Sequence, residues 1–157
     1  MTQRARFRWI APLTILGILT AVDGALARPS AVPSLVGQWK IVGMTGANYE
    51  DVSDVNSTPE FVSGAPADAL IVITGQKAGA FAGYLTVEGE KLLLTGVIGN
   101  DNSVIMQFAS GNSRHLFSGK YSVAGKKKQI KGSYHGYEEF TASIPSMSNG
   151  SMELEKK

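Results

Sequence analysis

After residue 35 the chain falls into short runs rich in Val, Ile, Leu, Tyr, Phe and Thr, separated by Gly, Asn and Asp. No segment carries the sustained apolar stripe of an amphipathic helix. Short apolar runs with regular turn signals predict an all-β domain. The strands are expected at 36–43, 69–74, 81–88, 91–98, 103–109, 115–123, 128–135, 139–144 and 150–155, with a turn at Gly89-Glu90 and another at Gly99-Asn100-Asp101-Asn102. From Phe81 onward the connections are short, and short connections make consecutive strands antiparallel neighbours. A meander of eight or nine strands removes both of its exposed edges by closing. Gly83, Gly96, Gly119 and Gly132 lie inside the expected strands, where glycine permits the coiling that a small barrel needs. The expected fold is therefore a single antiparallel up-and-down barrel of eight to nine strands, with a two-sheet sandwich as the alternative.

Period-two alternation assigns the faces. Phe81, Gly83, Leu85 and Val87 share one side of their strand, as do Val104, Met106 and Phe108. Phe117, Gly119, Tyr121 and Val123 form the next inward set, then Ile130, Gly132 and Tyr134, then Phe140, Ala142 and Ile144. The opposite faces read as mainly polar. That polarity, with strands too short for a bilayer and a Lys156-Lys157 end, argues against an outer-membrane barrel. An apolar interior with two hydroxyl-bearing tyrosines suits either a solid core or a pocket with orienting polar groups. If it is a pocket, the residues expected to contact a ligand are Tyr121, Tyr134, Phe108, Met106, Phe117 and Leu85.

One segment breaks the rhythm. Residues 44–68 are long, polar and carry Glu50, Asp51, Asp54 and Glu60. Such a stretch reads as a lid, a functional loop or a disordered segment, with a helical turn expected at 58–62. Its run Asp51-Val52-Ser53-Asp54-Val55-Asn56 has oxygens for a cation but lacks the glycine and distal glutamate of the twelve-residue calcium loop, so a solvated acidic loop is favoured.

The N-terminus has a different composition. Arg4, Arg6 and Arg8 precede an apolar run from Trp9 to Val22, and Ala25-Leu26-Ala27 comes next. A basic n-region, a short apolar stretch and a small-x-small site form a secretory signal. Cleavage is expected after Ala27, leaving an extended leader at 28–35 and the barrel domain at 36–157, in the periplasm or outside the cell. Without 1–27 the acidic and basic residues balance at twelve each. A neutral domain has no general attraction to nucleic acid. The basic run Lys126-Lys127-Lys128 with Lys131 reads as a solvated hairpin tip. There is no cysteine, which excludes disulfides, thiolate chemistry and lipid attachment through a cysteine. A cysteine-free exported domain fits a bacterial host.

Chemistry-bearing motifs are sparse. The chain lacks a Gly-rich phosphate loop, a Gly-x-Ser-x-Gly elbow and a His-x-Glu spacing, so no cofactor, metal or catalytic residue is assigned. His135 near Glu138 and Glu139 is the one conceivable acid–base pair, and face parity turns His135 outward. His115 stands beside Arg114 at a strand start.

The segment Leu35-Val36-Gly37-Gln38-Trp39-Lys40-Ile41-Val42 resembles the Gly-x-Trp opening of the lipocalins. The resemblance implies an eight-stranded barrel in which Gly37 admits the chain tightly and Trp39 plugs the closed end against a basic residue of a late strand, which the resemblance does not identify and for which Lys156 is one candidate. It also implies carriage of a small apolar ligand beneath the long loop. Gly79-Ala80-Phe81-Ala82-Gly83-Tyr84 is similar to a Gly-x-Phe-x-Gly segment of the avidins. Avidin-like biotin sites use tryptophans on later strands, and none comes after Trp39 here. Exported metalloprotease inhibitors share the Gly-x-Trp opening, which keeps a protein partner as the alternative to a small apolar ligand. The expected function is that of an exported small-molecule carrier; the alternative is a solid barrel acting through its surface, and an enzyme comes third.

Overall fold

The alternating segments do form strands, and these close on one another. The computed structural model describes residues 31–111, 113–141 and 144–157, with the side chains of 138–145 left aside. The signal at 1–27 and the start of the leader at 28–30 lie outside the described residues. So does the inward assignment of Phe140, Ala142 and Ile144.

The strands are β1 (Gly37–Tyr49), β2 (Glu60–Ser63), β3 (Leu70–Lys77), β4 (Ala80–Val87), β5 (Glu90–Ile98), β6 (Ser103–Ala109), β7 (Ser113–Ala124), β8 (Lys127–Thr141) and β9 (Ile144–Lys156). Their order is β2-β1-β3-β4-β5-β6-β7-β8-β9, and β1 also pairs with β9. Every pairing is antiparallel. β1 and β3 to β9 thus make a closed eight-stranded barrel, and β2 is an extra strand. It lies along β1 from Thr45 to Asn48, beyond the stretch that pairs with β3.

Several expected elements differ in the structure: β1 runs on to Tyr49, so residues 44–49 of the expected loop are strand. The helical turn at 58–62 is instead strand β2, because the upper half of β1 has an unpaired edge to offer it. The expected strands at 128–135 and 139–144 are joined in β8, which runs on to Thr141. The expected strand at 150–155 is the far half of β9, which begins before Pro145. Proline is tolerated near a strand start or a bulge, and Pro145 lies at β9's beginning, next to a register shift between Glu139 and Thr141. The turn after β4 is Glu88-Gly89, one residue earlier than the expected Gly89-Glu90. Both have positive φ, 51° and 82°, as a two-residue hairpin of matching twist requires.

The glycines expected to permit coiling lie at close approaches of the backbone. At Gly132 a Cβ would run into the carbonyl of Ser118 on β7, so no larger residue fits that crossing. Inside, Val104, Met106, Phe108, Phe117, Ile130 and Leu154 are buried, as period two requires. Val123 is the exception among the inward assignments: it lies at the end of β7, past the core, and is exposed. The outer surface is less polar than expected. Leu93, Val97, Ile105 and Leu116 are exposed on β5 to β7. No helix among the described residues is long and apolar enough to cross a membrane.

The turns carry their own electrostatics. Lys127 and Lys131, from the basic run, reach Glu155 and Glu153 on β9 at 3.1 and 3.0 Å. In the β5–β6 turn, Asp101 accepts from the Ser103 amide at 3.0 Å and from Lys120 Nζ at 2.7 Å. The Lys120 and Ser103 hydrogen bonds hold its carboxyl well below the usual 3.8. A depressed folded-state pKa stabilises the fold above the unfolded value, and that contribution is lost as pH falls through the folded one. Asp101→Asn should therefore lower Tm at pH 7 and flatten the decline of Tm below about pH 3.8. Calorimetric scans of both proteins from pH 7 to pH 2 check this; superimposable acid limbs would remove Asp101 as a contributor.

Candidate functional site

The two ends of the barrel are built differently. At one end the chain enters across the bottom: the Leu35 amide donates to Gln76 Oε1 at 2.7 Å, and Gln76 Nε2 donates to the Pro33 carbonyl at 2.8 Å. This fixes Leu35, which is fully buried under the first turn of β1. Trp39 lies above it, also fully buried, and its indole N–H donates to the Leu35 carbonyl at 2.7 Å. Tyr121 meets Trp39 edge-on, with ring centroids 6.4 Å apart. Lys156 Nζ stands 5.6 Å from the Trp39 ring centroid and donates to the Val36 carbonyl at 2.6 Å. Burial, and then the charge of Lys128, draw this ammonium's pKa down. Gly37 has φ 128°, a conformation open to glycine, and a Cβ there would press on the Lys156 side chain.

The other end is hollow. A cavity of about 960 Å³ is lined low down by Ile41, Met44, Ala69, Leu85, Leu92, Phe108 and Met152. Higher up the lining turns polar. The register carries one inward row across the sheet, Asn48 to Ser148, Ser148 to Gly136, Gly136 to His115 and His115 to Phe108. Gly136 matters here because a Cβ would collide with the His115 ring and the Ser148 hydroxyl. One row below, Gly46 leaves room for Tyr134, whose Oη a Cβ at 46 would strike. Tyr134 is 6% exposed and its hydroxyl has no hydrogen-bond partner among the described residues; Asn48 Oδ1 is likewise buried and unpartnered among them. A buried polar atom without a partner costs roughly 1–3 kcal/mol, and both atoms belong to residues that line the cavity. Burial pushes the Tyr134 phenol up from 10.0, which keeps its proton in place at neutral pH. At the rim stand Glu50, Asp51, Glu60, Glu88 and Glu90.

The six expected contact residues divide between the two ends. Tyr134, Phe108 and Leu85 line the cavity. Met106, Phe117 and Tyr121 are buried below it, in the packed half, and do not line it. Asn48, His115 and Ser148 line the cavity although sequence reasoning did not select them. His115 was within reach: the parity that turns Phe117 inward also turns residue 115 inward. His135, on the opposite parity of β8, is exposed. In the long loop, Asp51 accepts from the Ser53 amide and hydroxyl and Asp54 from the Asn56 amide and side chain, so these oxygens hold turns.

The geometry defines an eight-stranded meander barrel, plugged at one end and open at the other, with a lined cavity between. Among solved structures it is similar to apo short afifavidin, with TM-score 0.53 and 13% identity over 80% of this chain and 98% of that one. It is also similar to the short afifavidin–biotin complex, with TM-score 0.52 and 13% identity over 82% and 94%. The rhizavidin–biotin complex is similar too, with TM-score 0.50 and 15% identity over 80% and 97%. These likenesses establish an avidin-like barrel fold. No protein-family model matches the chain, and no curated protein matches it.

Proposed function

We propose that this protein is exported and binds a small, largely apolar molecule in the open end of its barrel, as a carrier of lipocalin type. The observation that carries the reading is the Tyr134 hydroxyl, unpartnered among the described residues and buried in the wall of a cavity of about 960 Å³ whose floor is apolar. A core that served stability alone would leave neither the void nor the orphan donor, because both cost free energy. Short afifavidin and rhizavidin, both solved as biotin complexes, support the fold as a ligand holder. The basic n-region and the Ala25-Leu26-Ala27 site support export.

The test is native mass spectrometry of the protein purified from its own compartment. The expected result is the mass of residues 28–157 plus a discrete adduct that denaturation removes. Tyr134→Phe should weaken retention of that adduct about tenfold, as loss of one buried hydrogen bond does, while raising the stability of the empty protein by about 1 kcal/mol. A protein that carries no adduct, and takes up none from a lipid extract of the same cells, would end the carrier reading.

A further inference from the structure

The rim and the orphan atoms together say what kind of head group the cavity takes. This inference rests on the cavity being a binding site. Five carboxylates line its mouth, Glu50, Asp51, Glu60, Glu88 and Glu90, and among the described residues no lysine or arginine lines the cavity. Among the described residues none of the five forms an ion pair with a lysine or arginine. Asp51 is further held in its charged form by the Ser53 hydrogen bonds. Below the rim, the Asn48 Oδ1 has no partner among the described residues and is an acceptor only, so a group that pairs with it brings an N–H or O–H. The Tyr134 hydroxyl, nine-tenths buried in the same wall and also unpartnered, can accept as well as donate. Lower still the lining is aliphatic and aromatic, from Ile41, Met44, Leu85, Leu92, Phe108 and Met152.

We propose that the occupant is an amphiphilic cation: an apolar body seated on the cavity floor, carrying a protonated nitrogen whose N–H groups reach Asn48 Oδ1 and the Tyr134 hydroxyl beneath the acidic rim. A carboxylate head would leave the Asn48 acceptor unmatched and would meet like charges at the mouth. Biotin, which ends in a carboxylate, belongs to the disfavoured class. Attraction between charges near a protein surface is strong at contact and screened over about 8 Å at physiological salt, so the preference depends on ionic strength.

The experiment measures binding of octylamine, octanol and octanoate to the purified protein by calorimetry at pH 7 and low salt. The three share a chain and differ in the charge of the head. Octylamine should bind at least tenfold more tightly than octanoate, with octanol between, and the gap should narrow in high salt. In the variant Glu50→Gln/Glu60→Gln/Glu88→Gln/Glu90→Gln, octanol should bind as before while the advantage of octylamine shrinks toward it. Octanoate binding as well as octylamine would overturn the proposal and leave the cavity reading intact. An octylamine advantage that survives both the four substitutions and high salt would overturn it as well. If none of the three bound, the cavity reading would fail, and the proposal with it. Should the fourfold variant not fold, the salt series on the unaltered protein decides the question alone.

Discussion

Replacing Trp39 with alanine is expected to cost about 3–5 kcal/mol of folding stability, the usual range for removing a large buried aromatic. The indole is fully buried at the plugged end of the barrel. Leu35 lies below it, Tyr121 packs edge-on, and the Lys156 ammonium stands 5.6 Å from its ring centroid. Truncation also strands the Leu35 carbonyl, which accepts the indole N–H at 2.7 Å. Urea unfolding monitored by circular dichroism measures the effect, because the variant has lost the fluorophore that wild type would use. Trp39 does not line the cavity, so the folded fraction should bind ligand with unchanged affinity. A loss below about 1 kcal/mol would mean that the closed end collapses around the gap, contrary to the rigid packing expected of a protein interior.

The second large effect is a contrast between the two halves of the same interior. Leu85→Trp adds volume at a partly buried position that faces the cavity. There is space for the indole, so stability should change by less than about 1.5 kcal/mol, while ligand binding should be abolished. Val104→Phe adds volume at a fully buried position outside the cavity lining. Overpacking a filled site typically costs about 1–3 kcal/mol, and this variant should keep its ligand affinity once folded. Denaturant titration and ligand titration of both proteins provide the check. Equal destabilisation by the two would show that the interior is filled at both ends, and the carrier reading would then lose its void.

These contrasts track how much residue order reveals. The inward positions of Val104, Met106, Phe108, Phe117, Ile130 and Tyr134 come from period two, because neighbouring side chains on a strand must point to opposite faces. The same parity, carried two residues back from Phe117, turns His115 inward. Asn48 is another matter. In β1 the odd residues Trp39 and Ile41 face inward, and a register shift between Ile41 and Gly43 puts one extra residue, Val42, into the strand. A bulge reverses the parity of the residues beyond it, so Met44, Gly46 and Asn48 face inward instead. Nothing local in Ile41-Val42-Gly43 announces that shift; it arises just past Lys40, where β3 leaves one edge of β1 while β9 continues along the other.

Residue order alone determined that this domain is all-β, that its strands run antiparallel in a meander, and which face of most strands is apolar. These properties come from side-chain alternation and from turns such as Gly99 to Asn102, which act between near neighbours. Residue order also pointed to closure of the meander; the tertiary structure alone decided that β2 stays outside the closed barrel, that 60–63 is a strand rather than a helical turn, and that the interior is packed around Trp39 at one end and open beneath Tyr134 at the other. The extra strand, the bulge and the void depend on how eight strands share one circumference. That is a condition on residues far apart in the chain, and no window of sequence contains it.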